Sequence, residues 1–211
     1  TVNVVNPAQM VNEIVNFIRQ QGISNDPCYD VTKVNQRWSA EMETRSLAQF
    51  IRSNTDFAIE GMSVAAIQAA TTPKYSKVIF LQDSQFNAGM ALSVLNTYRT
   101  QYVFDIHTLA HGSKTTIVGG NTSEGEDLRI KKENFFDVLK AQIDANKKVY
   151  IRAVYQMNCF GSYMLANWRN AGAEVVNGSK ETNWMPLAYS KFLADWLADT
   201  RFDQAVLNGY Q

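Results

Sequence analysis

The chain has 211 residues, of which 45% are hydrophobic and 19% are charged, so its composition excludes a wholly disordered protein. Basic and acidic residues balance at 20 each, and the resulting net charge of zero argues against a nucleic-acid partner. No apolar run approaches the roughly 18 residues that a membrane helix needs, so no membrane partner is expected either.

Residues 1–72 show patterns that are typical of helices. Asn6 followed by Pro7 is a helix start signal, and Gly22 ends the apolar spacing that follows it. The apolar residues of a second predicted helix are Trp38, Met42, Leu47, Phe50 and Ile51. A third helix is predicted over residues 64–70. We therefore expect 1–72 to form a helical N-terminal region, either an accessory or a pro-segment, packed on the core.

From residue 73 onward, short apolar strands alternate with amphipathic helices. Strands are predicted at 77–82, 102–110, 149–157 and 173–176, with a short hairpin arm at 115–118. Helices are predicted at 87–97, 135–143 and 163–171, followed by two closing helices between 192 and 206. This alternation is typical of βαβ units. The sequence thus predicts an α/β domain over 73–211, with a mostly parallel sheet flanked by helices in three layers.

Ligand sites of such sheets lie beyond the carboxyl ends of the strands. His111 and Gly112 follow the second predicted strand of this domain, and Cys159 follows the third. A His and a Cys at one sheet edge suit nucleophilic catalysis, with the thiolate attacking a carbonyl and the imidazole protonating the leaving group. The N–H groups of Gly112 and Cys159 are candidate oxyanion donors. A helix predicted to start at Cys159 would favour the thiolate.

These residue types can also serve in a metal site or a disulfide. A metal site from Asp105, His107 and His111 is disfavoured, because positions i and i+4 of a strand lie roughly 13 Å apart at about 3.3 Å per residue. His107 is expected to be packed or hydrogen-bonded, or to support the site indirectly. Cys28 is expected to be a loop thiol, and a Cys28–Cys159 disulfide, which would block catalysis, is disfavoured.

Two segments resemble motifs of a known family. IHTLAHGS (residues 106–113) resembles the His block, and VYQMNCFGS (residues 154–162) resembles the Cys block, of the caspase-like (clan CD) cysteine peptidases. That group includes caspases, metacaspases, legumains, clostripain and gingipains. The resemblance covers roughly residues 77–208 and implies a caspase-like α/β catalytic domain. It differs from caspases in one connection: the predicted first strand and the His-bearing strand leave room for one helix, where caspases have helix, strand and helix.

The resemblance implies a cysteine endopeptidase with a His111–Cys159 dyad, an oxyanion site at Gly112 and Cys159, no cofactor, no metal, and a peptide or protein substrate. The S1 pocket would come from the loops after the first and fourth strands and from the position two before the nucleophile. In this sequence those candidates are Asp83, Met157, Ser179, Glu181 and Trp184. Asp83 or Glu181 would suit a basic P1 residue. An uncharged P1 residue stays open, and cleavage after Asp is not expected.

One alternative belongs to another functional class. A catalytically inactive caspase-like module that binds a partner would keep the same fold and the same dyad residues. The composition, which is rich in Asn and poor in Lys, favours a secreted or periplasmic bacterial protein. The chain begins at Thr1 and shows no signal peptide, as expected of a processed form or a fragment. The sequence gives no indication of the oligomeric state.

Overall fold

A parallel sheet of five strands lies at the centre of the structure. The computed structural model describes the backbone of residues 45–51 and residues 64–119, 128–181 and 186–210. In chain order the sheet strands are β1 (Arg45–Ile51), β2 (Lys77–Gln82), β3 (Val103–Leu109), β6 (Ile151–Gln156) and β7 (Ala173–Val176). Their spatial order is β2-β1-β3-β6-β7, and all four pairings are parallel. The predicted parallel sheet is thus confirmed.

Strand β1 corrects the prediction of a helix through Leu47, Phe50 and Ile51. The segment RSLAQFI is extended and pairs with β2 on one side and with β3 on the other. A short apolar run fits a strand or a helix equally well, and here pairing along both edges of the strand decides. The sheet therefore takes a strand from the region expected to be helical, and the connection from β1 to β3 contains helix, strand and helix. The helices expected before residue 45 lie outside the described residues.

Helices cover both faces of the sheet. They are α1 (Val64–Thr71), α2 (Ala88–Tyr98), α3 (Asp137–Asp144), α4 (Leu165–Asn170), α5 (Pro186–Leu197) and α6 (Phe202–Gly209). One buried cluster joins α2, α3 and α4 to the sheet residues Phe104 and Ile106. A second cluster joins α1, α5 and α6 to Leu109 and Tyr155. Because neighbouring strand residues point to opposite faces, one sheet supplies both cores.

The local signals in the sequence act as expected in α2. The side chain of Asn87 accepts a hydrogen bond from the N–H of Met90 at 2.9 Å, which caps the first turn.

A two-stranded antiparallel sheet pairs β4 (Thr116–Ile117) with β5 (Ile130–Lys131), so the predicted hairpin arm is confirmed. A π-helical turn over Lys132–Phe136 then leads into α3.

The order of the strands positions the site. From β1 the chain moves outward to β2, returns past β1 to β3, and then continues in the other direction through β6 to β7. The reversal lies between β1 and β3, and open parallel sheets bind ligands at this point, beyond the carboxyl ends of the strands. Strand β3 pairs with β1 on one side and with β6 on the other. The residues that follow β3 and β6 therefore lie at the same carboxyl edge of the sheet. Among the described helices, none has the length and apolar character to cross a membrane.

Candidate active site

The segments that carry His111 and Cys159 leave the sheet side by side. Strands β3 and β6 are paired in parallel up to Thr108 and Gln156. The pairing extends one residue further, because the N–H of Met157 donates to the carbonyl of Thr108 at 2.9 Å. His111 lies two residues beyond the end of β3, and Cys159 lies three residues beyond the end of β6. Both side chains are half-buried.

Gly112 joins the two segments by close packing. A Cβ atom at this position would lie 2.8 Å from Cβ and Nδ2 of Asn158 and 2.9 Å from the carbonyl oxygen of Cys159. Real side chains do not tolerate such distances, so the approach requires glycine. The structure therefore brings the His111-Gly112 backbone against the Asn158-Cys159 backbone, as the placement of both segments at one edge predicted.

The hydrogen bonds of the β4 hairpin orient the backbone of Gly112. The N–H of Val118 donates to the carbonyl of His111 at 2.9 Å, and the N–H of Ser113 donates to the carbonyl of Thr116 at 2.9 Å. Gly112 lies between these bonds, opposite Ile117. In an antiparallel pair, the residue between two such bonds directs its own N–H to the other side. The N–H of Gly112 thus points away from β4.

Asn158 is a site residue that the sequence analysis missed. Its side chain is fully buried, and its Oδ1 accepts a hydrogen bond from Thr108 Oγ1 at 3.2 Å. Its Nδ2 lies 3.4 Å from the carbonyl oxygen of Cys159, to which it donates. Asn158 thereby links the end of β3 to the segment that carries Cys159. No spacing rule identifies it, because its partners lie 50 residues away or next to it in sequence.

The helix expected to begin at Cys159 begins later. Phe160 has a left-handed backbone with φ of 56°, a 3-10 turn covers Gly161–Met164, and α4 starts only at Leu165. The left-handed residue turns the chain sharply after Cys159, at a cost of order 1–3 kcal/mol that its surroundings must offset. The predicted support of the thiolate by a helix N-terminus at Cys159 is therefore wrong.

Hydrogen bonds hold residues 177–181, after β7, against this turn. The N–H of Phe160 donates to the carbonyl of Glu181, and the N–H of Ser162 donates to the carbonyl of Ser179, both at 3.0 Å. The hydroxyl of Ser179 lies 3.2 Å from the carbonyl of Asn158 and 2.9 Å from that of Glu181. Ser179 and Glu181, both predicted as substrate residues, thus lie beside the Cys159 segment, and Glu181 is exposed.

Gln156, at the end of β6, binds the residue that follows β7. Its role was not predicted from the sequence. Its Oε1 accepts from the indole N–H of Trp168 at 2.9 Å, and its Nε2 donates to the carbonyl of Asn177 at 2.7 Å. The side chain of Asn177 returns the contact by accepting from the backbone N–H of Gln156 at 2.9 Å. A buried amide with this many partners fixes the ends of β6 and β7 relative to each other.

Asp83 and Met157, two other predicted substrate residues, do not lie beside the Cys159 segment on an exposed loop. Asp83 is exposed and follows β2, the edge strand, so β1 lies between it and β3. The loop after the first strand is therefore residues 52–63, which lie outside the described residues. Met157 is 1% exposed and belongs to the core cluster under α5, which makes it a packing residue. Trp184 lies outside the described residues.

His107 belongs to a buried polar network below the site. Its Nδ1 lies 2.8 Å from the hydroxyl of Tyr189 on α5. The pKa of His107 is lowered to about 4, mainly by burial; the nearby charge of Asp105 raises it and that of Arg152 lowers it. Asp105 binds the guanidinium of Arg152 and accepts from the hydroxyl of Tyr75 at 2.7 Å. The expectation of a packed, hydrogen-bonded His107 is confirmed.

No group of three metal-ligating side chains lies together among the described residues. In the same part of the chain, Cys159 is not part of a disulfide. Cys28 lies outside the described residues. Comparison of the chain with protein-family models and with curated proteins gives no match. The function is therefore inferred from the geometry of the site and from the His and Cys motifs.

Proposed function

We propose that the protein is a cysteine endopeptidase that uses Cys159 as nucleophile and His111 as general acid and base. One observation carries the proposal: the close approach of Gly112 to Asn158 and to the carbonyl of Cys159. This approach places a His-Gly segment and a Cys segment together at the strand ends where open parallel sheets bind ligands. His and Cys in such a pair provide a proton carrier and a soft nucleophile.

The chemistry has two steps. The sulfur of Cys159 attacks the scissile carbonyl, and its proton passes to His111. As the tetrahedral intermediate collapses, His111 protonates the leaving amine, the C–N bond breaks and a thioester remains. Water, deprotonated by His111, then attacks the thioester, which releases the new carboxylate and restores the thiol. The N–H groups of Gly112 and Cys159 are the proposed donors to the oxyanion in both steps.

The arrangement of the strands supports a caspase-like fold for this domain. In the observed order, His111 follows the third strand of the parallel sheet and Cys159 follows the fourth. The described part of the connection between β1 and β3 contains helix, strand and helix, as the connection of caspases does, and this favours the caspase-like fold. The two motifs and this topology are independent features of the chain, and both favour the same family.

The test is hydrolysis of a fluorogenic peptide library that varies the P1 residue. We expect cleavage by the wild type and its loss in Cys159→Ala, while Cys28→Ala, the matched control at the other cysteine, keeps it. The preferred P1 residue would also distinguish a basic pocket from an uncharged one. Cleavage that persists in Cys159→Ala contradicts the proposal. No cleavage by the wild type also contradicts it, and favours the inactive binding module.

A further inference from the structure

A lysine and two aromatic rings lie together on the turns that follow Gly112 and Cys159. Lys114 Nζ is 5.1 Å from the ring centroid of Tyr163 and 5.9 Å from that of Phe160. Phe160 directly follows Cys159, and Lys114 follows the His111-Gly112 segment by two residues. The side chain of Lys114 is exposed, and Tyr163 is 54% exposed. We call these three residues the Lys114 site.

Local structure fixes both halves of the Lys114 site. Lys114 lies in a turn closed by the 2.8 Å contact between the hydroxyls of Ser113 and Thr116, and the N–H of Thr115 donates to Ser113 Oγ. The left-handed backbone of Phe160 is held by its bond to residue 181. The ammonium group and the rings are therefore presented by two ordered turns, one from each side of the dyad.

The charge of Lys114 is available to a ligand. Among the described residues, no carboxylate lies within 4 Å of its ammonium; the ion pairs there use Lys132, Lys140, Arg152, Lys191 and Arg201. The faces of the two rings attract the cation but leave its net charge unchanged. A positive charge held at the surface beside the proposed nucleophile is complementary to an anionic group on the substrate.

We infer that the Lys114 site binds a carboxylate of the peptide substrate, on an acidic residue close to the scissile bond. The inference rests on the proposed function, and it concerns a subsite other than S1. The ammonium would pair with the carboxylate, while the rings of Phe160 and Tyr163 would contact the methylenes of the same residue. A glutamate makes both the ion pair with the ammonium and the contact with the rings. A glutamine has the same shape but makes only the contact with the rings.

The first test needs no peptidase activity. Iodoacetate and iodoacetamide alkylate the same thiolate, so the ratio of their rates at Cys159 cancels any change in the pKa of the thiol and reports the local charge. We expect Lys114→Met to lower the iodoacetate-to-iodoacetamide ratio about twofold, the effect of a single charge at roughly 10 Å in water. Rates are measured for the Cys159 peptide by mass spectrometry. An unchanged ratio overturns the inference.

A matched control exists at the other end of β6. Lys148 Nζ lies 5.0 Å from the ring centroid of Tyr150, and the two residues form a similar cation–ring pair just before the strand. Lys148→Met removes the same charge from the same kind of contact, and we expect the ratio at Cys159 to stay at the wild-type value. Lys114→Arg, which keeps the charge, is expected to keep the ratio. A drop of equal size in Lys148→Met would mean that net charge alone acts, and overturns the inference.

The second test uses peptides that carry either Glu or Gln at each position flanking the cleaved bond. We expect the wild type to prefer Glu about threefold in kcat/KM at one position, and the ratio of kcat/KM between the Glu and Gln peptides to fall to about one in Lys114→Met. Equal cleavage of Glu and Gln peptides by the wild type overturns the inference and leaves the peptidase standing. Absence of any cleavage that depends on Cys159 overturns the proposed function instead.

Discussion

The two histidines of this protein lie four residues apart on one segment, and the fold buries them to different degrees. His107 lies within β3, is fully buried, and has a pKa lowered to about 4. His111 lies beyond the end of the strand and is half-buried beside Gly112. The side chains are chemically the same, so the difference comes from position alone. Helices on both faces of a parallel sheet bury the middle residues of its strands, and ligands reach the carboxyl ends of the strands.

The surroundings of the two histidines differ in the same way. Below the site, the buried carboxylate of Asp105 accepts hydrogen bonds from the guanidinium of Arg152, the hydroxyl of Tyr75 and the indole N–H of Trp196. At the strand end, the contacts run between backbone amides, carbonyls and short polar side chains such as Asn158. We expect changes in the middle of the strand to affect stability, and changes at its end to affect activity.

His111→Ala tests the active end of this comparison and has the largest expected effect. Loss of the proton carrier should lower kcat/KM by about a thousandfold, while the free energy of unfolding changes by less than about 1 kcal/mol. Peptide hydrolysis and urea unfolding measure the two quantities. A stable His111→Ala protein with normal activity would remove the general acid from the proposed mechanism.

Asp105→Asn tests the buried end. The substitution keeps the shape but removes the negative charge of Asp105 from the buried guanidinium of Arg152, which should cost about 3–5 kcal/mol of unfolding free energy. Asp137→Asn is the control: it breaks the exposed pair with Lys132, whose atoms lie 2.7 Å apart, and should cost under about 1 kcal/mol. Similar losses in both variants, measured by urea unfolding, would contradict the distinction between buried and exposed pairs.

Gly112→Ala sharpens the comparison at the strand end, because it adds one methyl group between the two segments. The methyl must displace Asn158 or the Cys159 carbonyl, so the oxyanion donor shifts and we expect a loss of about a hundredfold in kcat. Gly89→Ala in α2 is the control, since among the described residues its methyl would meet only Asn87 Oδ1, at 3.4 Å. We expect it to be fully active and up to about 1 kcal/mol more stable. Full activity in Gly112→Ala would contradict the assigned geometry.

The sequence predicted the sheet wherever apolar runs have clear ends. Strand β2 was predicted with its observed bounds, and β3 within one residue, because Gly, Pro, Asn or a polar turn flanks each run. Strand β1 was not predicted, since the spacing of Leu47, Phe50 and Ile51 also fits one face of a helix. Only the pairing partners on both sides of β1, which are distant in sequence, decide between the two.

The site was predictable in its motif residues and not in the residues that support them. His111, Gly112 and Cys159 follow strands, and strand ends can be read from the sequence. Asn158 and Gln156 hold the segments through partners up to 50 residues away, and such buried networks exist only once the fold is formed. The left-handed Phe160 is unfavourable locally, so local patterns predicted a helix there instead.

The pH dependence of stability tests His107 directly. In the unfolded chain a histidine has a pKa near 6.5, while in the fold burial holds that of His107 near 4. Above pH 6.5 both states are neutral and His107 adds nothing to the pH dependence. As the pH falls below 6.5, His107 binds a proton in the unfolded state but stays neutral in the folded state. The unfolding free energy at pH 5 is therefore about 2 kcal/mol lower than at neutral pH.

His107→Gln removes the titrating group, so its unfolding free energy should fall less between pH 7.5 and pH 5 than that of the wild type, with the difference measured in urea. An equal drop in His107→Gln and wild type would mean that His107 gains its proton in the fold as readily as in the unfolded chain. The middle of β3 would then admit solvent, and the contrast between the two histidines would no longer hold.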